Sequence, residues 1–398
     1  MNKLTLDALD LKGKRVLVRV DFNVPLKAGE GGKLTVADDT RIRAALPTIR
    51  AILQAGGKAV LMSHLGRPKG TPNPKLSLAP VAAHLEELLG RRVRFSTSTT
   101  GSGIRELTEV MDEGSVMLLE NTRFHGEEKK NNADFAAALA ELGDVFVNDA
   151  FGTAHRAHAS TVGVTSHVAQ AAMGYLLQRE VDYLGKVLGA PEAPFVAILG
   201  GAKVSDKIGV IESLLPKVDS LLIGGAMSYT FLKALGHNVG TSLVEEDKLD
   251  LAKNVYEQAN GKIKLPTDHI VAGAFDNDAP HQTVEGGIPD GMMGLDIGPA
   301  TLAAYRDLVL GAKTVIWNGP MGVFEMSNFN KGTFAIAAAL KDATAGGTLT
   351  VVGGGDSVAA ITQAGYDDDV SHVSTGGGAM LEFLEGKTLP GIAALSDA

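Results

Sequence analysis

The sequence predicts two α/β units, each built on a parallel sheet that helices cover on both faces. Short β-rich runs alternate with helical patterns along the chain, which is typical of parallel strands joined by crossover helices. Several β-rich runs are almost continuously apolar, as expected for strands that are buried on both faces. A length of 398 residues suits two domains at about 100–200 residues per domain.

The elements of the first half follow from this alternation. Apolar runs predict strands at 15–20, 58–62, 115–119 and 145–147. Helical patterns predict helices at 40–55, 79–89 and 132–142. A further helix at 175–188 is followed by Gly189-Ala190-Pro191-Glu192-Ala193-Pro194, a break that is typical of a junction between domains.

The second half repeats the pattern. Strands are predicted at 195–199, 220–223, 314–317, 348–352 and 372–374, and helices at 207–215, 248–260 and 331–342. We therefore interpret the helix at 175–188 as a connector between two lobes.

Composition excludes several classes of protein. The chain has no cysteine, which excludes disulfides, cysteine metal sites and thiol catalysis. A net charge of −9 argues against a general nucleic-acid binder. The first residues reach Asp7 before any apolar stretch, so we expect no signal peptide, and no run approaches the roughly 18 apolar residues of a membrane helix. We expect a cytoplasmic protein that does not bind membranes.

Arginine is distributed unevenly. Thirteen of the fourteen arginines precede residue 180, and Arg306 alone follows it. The guanidinium group pairs bidentately with phosphate or carboxylate, so the first half is the better candidate for an anion site. Arginine also decorates ordinary surfaces, and composition alone leaves that alternative open.

The residues after each predicted strand differ between the halves, and ligands of open α/β sheets bind beyond these carboxyl ends. In the first half the ends carry Asp21-Phe22-Asn23, Ser63-His64-Leu65-Gly66-Arg67, Glu120-Asn121-Thr122-Arg123 and Asn148-Asp149-Ala150-Phe151. In the second half they carry Gly200-Gly201-Ala202-Lys203, Gly224-Gly225-Ala226, Asn318-Gly319-Pro320, Gly353-Gly354-Gly355-Asp356 and Thr375-Gly376-Gly377-Gly378. One half thus ends its strands in polar side chains and the other in glycine.

Glycine-rich turns that open helices are suited to phosphate, because backbone N–H groups can approach the ligand and the helix N-terminus adds positive potential. No Walker A sequence is present, and no G-x-G-x-x-G follows the first strand, so a nucleotide site of another type is expected. Lys203 and Lys207 are four residues apart, a spacing that would place both on one helical face with an anion between them. Asp356 is the candidate ligand for a metal ion.

Two lobes with anion sites suggest phosphoryl transfer between bound anions. Such transfer depends on positioning and on charge neutralisation more than on covalent help from the protein. Water must be excluded from the reaction, and a hinged two-lobe enzyme can achieve this by closing over both substrates.

Seven segments resemble the phosphoglycerate kinase family, and together they extend over essentially the whole chain. Their number, order and spacing make chance agreement implausible. They are Val18-Arg19-Val20-Asp21-Phe22-Asn23-Val24-Pro25, Ser63-His64-Leu65-Gly66-Arg67-Pro68, Leu119-Glu120-Asn121-Thr122-Arg123-Phe124, Asn148-Asp149-Ala150-Phe151-Gly152-Thr153-Ala154-His155-Arg156, Gly200-Gly201-Ala202-Lys203-Val204-Ser205-Asp206-Lys207, Trp317-Asn318-Gly319-Pro320-Met321-Gly322-Val323-Phe324-Glu325 and Gly353-Gly354-Gly355-Asp356-Ser357.

The resemblance implies a phosphotransferase with a carboxyl group as acceptor. In its reaction 1,3-bisphosphoglycerate and MgADP give 3-phosphoglycerate and MgATP, reversibly, with Mg²⁺ as cofactor. It also implies two Rossmann-like three-layer (αβα) domains with parallel sheets, joined by a hinge helix. We expect a glycerate-phosphate domain at 1–174 with the tail 390–398 packed on it, a connecting helix at 175–190 and a nucleotide domain at 191–389. A monomer is the usual state in the family.

The resemblance also implies roles for single residues. Asp21 and Asn23, with Phe22 between them, would bind the glycerate hydroxyl and carboxyl region. His64, Leu65, Gly66, Arg67, Arg123 and Arg156 would hold the non-transferred phosphate. Arg41 would reach the carboxyl end, where transfer occurs.

On the nucleotide side, Lys203 and Lys207 would bind phosphates and the moving phosphoryl group. Gly294, Asn318 and Glu325 would line the nucleoside end. Gly354, Gly355, Asp356 and Ser357 would hold nucleotide phosphates, with Asp356 on Mg²⁺, and Gly376 and Gly377 would offer backbone amides to the transferring group.

Three alternatives remain at this stage. An NAD-dependent dehydrogenase would share the α/β architecture but would need the missing glycine fingerprint. A two-lobed binding protein would bind its ligand without turnover, and another acyl-phosphate kinase would accept acetate. His155 and His158 have a metal-like spacing, but two histidines do not complete a zinc site, and we interpret them as structural.

Overall fold

The computed structural model describes residues 2–398, with Glu30 described through its backbone only. The chain divides into two compact units. The first unit runs to Val181 and includes the segment Thr388–Ala398, and the second is Asp182–Lys387. The division falls inside one helix, Tyr175–Gly189.

The first unit contains a six-stranded sheet in the order β5-β6-β4-β1-β7-β8, in which all strand pairs are parallel. Its strands, with those of a small antiparallel hairpin (β2 and β3), are β1 Arg15–Val20, β2 Leu26–Ala28, β3 Leu34–Val36, β4 Lys58–Met62, β5 Val93–Phe95, β6 Val116–Leu118, β7 Val145–Asp149 and β8 Ala171–Met173. Its helices are α1 Thr40–Gln54, α2 Ala79–Leu89, α3 Ser102–Glu109, α4 Gly126–Lys129, α5 Ala133–Ala140 and α6 Tyr175–Gly189, which continues into the second unit.

The central strand β1 is buried on both faces. Val16 and Val18 belong to the core that α1 and α2 cover, through residues such as Ile49 and Leu85. Leu17, which points to the other face, is also fully buried. Because β1 pairs in parallel with β4 and β7, the carboxyl ends of all three strands lie at one edge of the sheet.

The last residues of the chain pack into the first unit. Leu4 donates its N–H to the carbonyl of Ser396 at 2.8 Å, and Ser396 donates to the carbonyl of Ala171 at 2.9 Å. The side chain of Asn148 donates to the carbonyl of Gly391 at 2.9 Å. A polar residue near the end of β7 thus holds the returning segment.

The second unit contains a parallel six-stranded sheet in the order β11-β10-β9-β15-β16-β17 and an antiparallel three-stranded sheet in the order β13-β12-β14. Its strands are β9 Phe195–Leu199, β10 Ser220–Ile223, β11 Ile263–Lys264, β12 Asp268–Ala272, β13 His281–Glu285, β14 Met293–Ile297, β15 Thr314–Asn318, β16 Leu349–Val352 and β17 His372–Val373. Its further helices are α7 Ile208–Leu214, α8 Met227–Ala234, α9 Leu249–Gln258, α10 Pro299–Leu310, α11 Lys331–Ala345, α12 Gly355–Gln363 and α13 Gly378–Leu384, and α14 Pro390–Ala393 lies in the returning segment of the first unit.

The predicted fold class is confirmed, since both units have a parallel sheet flanked by helices. All nine predicted strands are present, with ends that move by at most two residues. The antiparallel sheet was not predicted. Exposure and the lack of an apolar pattern explain this for His281–Glu285, but not for the buried central strand Asp268–Ala272. The edge strand Val93–Phe95 was missed for a related reason, since arginines surround its one buried residue, Val93.

No helix within residues 2–398 is both long enough and apolar enough to cross a bilayer.

Candidate active site

Asp21, Asn23 and Arg41 form a connected group at the carboxyl edge of the first sheet. One Nη atom of Arg41, which lies in the first turn of α1, is 3.1 Å from Oδ2 of Asp21 and also donates to the carbonyl of Asn23 at 3.3 Å. The side-chain oxygen of Asn23 accepts the N–H of Gly66 at 2.8 Å. The loops after β1 and β4 are therefore tied together at this edge. Phe22 is buried between them and donates its N–H to Ser63.

Arg123 is held against the loop that follows β4. Its Nη1 donates to the carbonyl of Gly66 at 2.9 Å, and its buried Nε has no partner among the described residues. Gly66 adopts a φ of +60°, which favours glycine, while the neighbouring Leu65 is buried. Burial, together with the positive charges of Arg19 and Arg156, lowers the pKa of Arg123 to about 10. The cationic groups are thus close enough to repel one another, and a bound anion would relieve that repulsion.

His64 is buried within this cationic group. Burial lowers its pKa well below the ordinary value, and the charges of Arg19 and Arg123 lower it further. His64 is therefore neutral near pH 7. A neutral imidazole can still donate one hydrogen bond to an anion.

Arg67 and Arg156 are the exposed members of the predicted set. Nε of Arg156 lies 3.0 Å from Nε2 of His155. Arg67 makes no hydrogen bond or ion pair with the part of the chain that the structure describes. The structure thus joins Asp21, Asn23, Arg41 and Arg123 by hydrogen bonds and leaves Arg67 free for a ligand.

Arg19 is a residue of this edge that the sequence analysis did not select. It is fully buried in β1, and its Nη2 lies 3.1 Å from Nδ1 of His64. The sequence does contain an indication that Arg19 is unusual, because this arginine interrupts the otherwise apolar run Val16–Val20 of a strand that is buried on both faces.

In the second unit, several strand-end glycines are required for packing. A Cβ on Gly200 would lie 2.0 Å from the carbonyl oxygen of Pro320, and one on Gly319 would lie 2.2 Å from the carbonyl oxygen of Gly200. A Cβ on Gly225 would lie 2.6 Å from the backbone nitrogen of Gly201. These turns after β9, β10 and β15 contact one another through backbone atoms. Close backbone packing alone therefore requires glycine at these positions. The five glycine turns are for this reason weaker support for phosphate binding than the sequence suggested.

Other glycines of the same edge face open space. A Cβ added to Gly201, Gly355 or Gly377 would have no described atom within 4 Å. Gly355 opens the helix α12, and Gly354 precedes it with a φ of +92°. Gly377 precedes α13 with a φ of +49°, and Gly376 donates its N–H to Ser374 at 3.1 Å. The open glycines are the better candidates for contact with phosphate.

The two lysines do not share a helical face. The helix α7 begins at Ile208, so Lys203 and Lys207 both precede it, and the expected helical spacing is wrong. Residues 205–207 form a turn that precedes the helix. Lys203 is exposed, whereas Lys207 is half-buried and donates to the side-chain oxygen of Asn318. Burial lowers the pKa of Lys207 to about 8.

Asn318 and Ser357 link β15 to the start of α12. The Ser357 hydroxyl accepts the N–H of Gly319 at 2.5 Å. The side-chain nitrogen of Asn318 is buried and has no partner in the described chain, and a Cβ on Gly354 would lie 2.8 Å from it. A buried amide without an acceptor is uncommon, and a ligand or water that accepts its hydrogen bond would explain it.

Gly294 and Glu325 occupy different surroundings. Gly294 lies in β14 against the ring of Tyr229, and a Cβ there would be 2.1 Å from the hydroxyl oxygen. Its N–H donates to Ser242 at 2.9 Å. Glu325 is exposed in the loop between β15 and α11. Neither residue forms a hydrogen bond with Asn318 in the described chain.

Asp356 is the candidate metal ligand. It is exposed in the first turn of α12, and its charge acts on Lys207. No group of three or more His, Asp or Glu side chains that could hold a metal ion occurs within residues 2–398. Mg²⁺ bound with a nucleotide needs only one or two protein carboxylates, because phosphates and water complete its shell. A single accessible carboxylate beside the open glycine turns therefore fits this ion.

The comparisons with known proteins agree over the whole chain. Residues 6–387 match the family model described as phosphoglycerate kinase. The chain belongs to the phosphoglycerate kinase family. Among its relatives, the phosphoglycerate kinase of Salinibacter ruber is 62% identical over 398 residues, and that of Chloroherpeton thalassium is 58% identical over 403 residues. Both alignments cover 100% of this chain and 100% of the relative.

Solved structures extend the likeness to three dimensions. The phosphoglycerate kinase of Coxiella burnetii matches with a TM-score of 0.89 and 42% identity, and that of Pyrococcus horikoshii with 0.84 and 32%. Each match covers 98% of both chains. The resemblance drawn from the sequence motifs is confirmed, and with it the two-domain α/β fold of phosphoglycerate kinase.

Proposed function

We propose that the chain transfers the acyl phosphate of 1,3-bisphosphoglycerate to MgADP, giving 3-phosphoglycerate and MgATP, reversibly. One observation carries the proposal beyond family membership. Arg123 lies among other cations at the carboxyl edge of the first sheet, and no carboxylate pairs with its guanidinium group within the described chain. Such a cluster suits a dianionic phosphate, and Asp21 and Asn23 beside it supply the polar groups that a glycerate hydroxyl needs.

In this proposal the non-transferred phosphate binds His64, Arg67, Arg123 and Arg156, with the backbone of Leu65 and Gly66 beside them. The exposed Arg67 is free to turn toward it, and Arg156 would turn toward it by giving up its contact with His155. Asp21 and Asn23 bind the hydroxyl and carboxyl region, and Phe22 packs beneath them. Arg41, already oriented by Asp21, reaches the carboxylate to which the phosphoryl group is transferred.

The nucleotide phosphates bind at the open turns and lysines of the second unit. Lys203 and Lys207 neutralise phosphate charge, while Gly354, Gly355 and Ser357 approach it from the start of α12. Asn318, Gly294 and Glu325 lie toward the nucleoside, and Glu325 suits the ribose hydroxyls. Asp356 would hold Mg²⁺, which would neutralise charge on the phosphate oxygens.

The chemistry needs no general base. In the direction that consumes ATP, a carboxylate oxygen of 3-phosphoglycerate forms a bond to the terminal phosphorus as the bond to the ADP oxygen breaks. The nucleophile is already ionised, so the protein supplies positive charge and N–H donors. Arg41, Lys203 and the amide of Gly377 have these properties, and the amide of Gly376 would exchange its bond to Ser374 for one to the phosphoryl group. Hinge closure, which excludes water from the transfer, is part of the proposal.

The test is formation of ADP from ATP that requires both 3-phosphoglycerate and Mg²⁺. Glycerate without phosphate is the first control, because it lacks the group that the arginines bind. Acetate is the second control, because turnover with it would indicate another acyl-phosphate kinase. Turnover that does not depend on 3-phosphoglycerate contradicts the proposal.

We propose further that the protein is a cytoplasmic monomer, in keeping with the family resemblance. Sedimentation at micromolar concentration tests the monomer, and a mass near twice the chain mass of 41.4 kDa contradicts it.

A further inference from the structure

Arg19 connects His64 to a buried carboxylate by a chain of hydrogen bonds. Its Nε donates to the hydroxyl oxygen of Ser160 at 2.8 Å, and its Nη2 lies 3.1 Å from Nδ1 of His64. The Ser160 hydroxyl donates in turn to a carboxylate oxygen of Glu128 at 2.6 Å. Arg19, Ser160 and Glu128 are all fully buried.

The direction of each bond is fixed by chemistry. A guanidinium group only donates hydrogen bonds, and an ionised carboxylate only accepts them. The Ser160 hydroxyl must therefore accept from Arg19 and donate to Glu128. Glu128 also accepts the backbone N–H of Ser160 at 3.0 Å, which holds the carboxylate in place.

The same reasoning determines the tautomer of His64. Because Nη2 of Arg19 can only donate, Nδ1 of His64 must accept. Oδ1 of Asp21 is 3.9 Å from Nδ1, too far for a competing hydrogen bond. The neutral ring then carries its proton on Nε2.

We propose that Arg19, Ser160 and Glu128 are positioning residues that hold His64 as the Nε2–H tautomer, so that it donates a hydrogen bond to the anionic substrate. Without this chain, a neutral histidine would populate both tautomers and would present a lone pair to the phosphate part of the time. The inference deepens the proposed function and rests on it for the identity of the anion. The tautomer itself is independent of that identity.

A purely structural role for Glu128 is the alternative to exclude. The carbonyl of Glu128 accepts the N–H of Ala159 at 2.9 Å, so the residue also supports the loop that carries Arg156. A structural role predicts lower stability in variants without any change in the His64 ring. The ring nitrogens must therefore be observed directly.

The experiment records imidazole ¹⁵N spectra of the full-length protein labelled at histidine, with H64Q used to assign the signals. The wild type should show a pyridine-type Nδ1 and a pyrrole-type Nε2 at His64. Ser160→Ala removes the link to Glu128 and should move both shifts toward intermediate values. Glu128→Gln should have the same effect if it folds, and Ser160→Ala alone is sufficient if it does not.

The matched control is Thr108→Val. Thr108 is also fully buried in the first unit, and its hydroxyl accepts from Arg15 at the opposite end of β1. This variant removes a buried hydroxyl of similar size and should leave the His64 shifts unchanged.

Kinetics supply the second measurement. Ser160→Ala should raise the KM for 3-phosphoglycerate about tenfold, the size expected for one weakened hydrogen bond to a charged group, and leave the KM for ATP unchanged. Unchanged His64 shifts in Ser160→Ala, or a wild-type ring protonated on Nδ1, overturn the inference. Absence of turnover with 3-phosphoglycerate in the wild type contradicts the proposed function instead and leaves the tautomer result standing.

Discussion

The two units present different chemical groups at the carboxyl ends of their parallel strands. The edge of the first sheet is made of charged and polar side chains, with Arg19 and Glu128 buried beneath it. The edge of the second sheet is made of backbone, and Gly200 and Gly319 are in such close contact that neither has room for a Cβ. A side-chain site tolerates substitution sterically but depends on a balance of charge. A backbone site carries little charge but depends on close clearances between main-chain atoms.

This difference predicts that substitutions in the two units will affect different properties of the protein. Removing one arginine from the first edge leaves the main chain in place, so binding or turnover should change while the fold persists. Adding one methyl group to the second edge displaces main chain, so the fold itself should respond. Four sets of substitutions test this difference, in order of decreasing effect.

Arg41→Ala should lower turnover about 10²–10³-fold, the usual loss when one stabiliser of developing charge is removed. Nucleotide affinity should stay nearly the same, because Arg41 belongs to the first unit. The measurement is steady-state turnover together with ADP affinity by calorimetry. Arg43→Ala is the control, since Arg43 is exposed in the same helix and pairs with Asp39. Turnover equal to that of the wild type would remove Arg41 from the transfer step.

Gly200→Ala and Gly355→Ala form a matched pair for the backbone site. The first places a Cβ 2.0 Å from the carbonyl oxygen of Pro320 and should destabilise the second unit by about 1–3 kcal/mol. In Gly355→Ala the added Cβ has no described atom within 4 Å, so stability should be unchanged while nucleotide binding becomes weaker. Fluorescence of Trp317, the single tryptophan, reports unfolding of the second unit. Equal stability of the two variants would show that the turn after β9 can relax.

This pair also shows where sequence reasoning reached its limit. The alternation of patterns predicted both parallel sheets, and their shared edges followed from topology. Glycine after a strand, however, can be required either by close packing or by contact with a ligand. The sequence does not distinguish these two roles for Gly200 and Gly355. Separating them requires the position of Pro320, which is distant from Gly200 in the chain and is set by tertiary packing.

The charged edge was more predictable because side-chain chemistry is visible in the sequence. Asp21, His64 and Arg123 were selected on residue type and position after a strand. Arg19 was missed because it lies within a strand, where its burial depends on Glu128 and Ser160 more than a hundred residues away in the chain. In the antiparallel sheet, the strand His281–Glu285 was missed because it is too exposed to show an apolar pattern.

Lys207 allows a further test of the difference between the two units, because its side chain places a charge beside the backbone site. Its pKa of about 8 in the free protein means that it loses its proton as the pH rises through this value. Bound phosphate favours the charged form, so binding above pH 8 requires uptake of a proton. ADP affinity should be constant below pH 8 and fall up to about tenfold per pH unit above it.

Calorimetric titration with ADP at pH 7, 8 and 9 measures this slope. Lys207→Arg is the matched control, because arginine keeps its charge throughout this range and should flatten the profile. A wild-type affinity that is unchanged between pH 8 and pH 9 would exclude Lys207 from contact with the phosphates.

The smallest expected effect concerns two buried carboxylates, one in each unit. Burial raises the pKa of both Asp149 and Asp296 to about 7. Asp149 accepts the N–H of Leu176 at 2.9 Å at the start of α6, and Asp296 accepts the N–H of Gly332 at 2.8 Å at the start of α11. Both units therefore place an acid against the first turn of a 15-residue helix.

The sign of the pH dependence follows from the raised pKa. Between pH 4 and pH 7 the folded protein holds a proton on Asp296 that the unfolded chain has released. The stabilising contribution of this group is therefore complete below pH 4, declines as the pH rises, and is lost above pH 7. Asp296→Asn, which stays neutral, should remove this decline. Across pH 6 to 7 the second unit of the wild type should lose about 1 kcal/mol relative to the variant, measured by urea unfolding with Trp317 fluorescence. Asp149→Asn is the control: it changes the other unit, so the stability reported by Trp317 should depend on pH as it does in the wild type. If the stabilities of the wild type and Asp296→Asn instead change in parallel with pH, then Asp296 is ionised throughout, and its two backbone hydrogen-bond donors outweigh its burial.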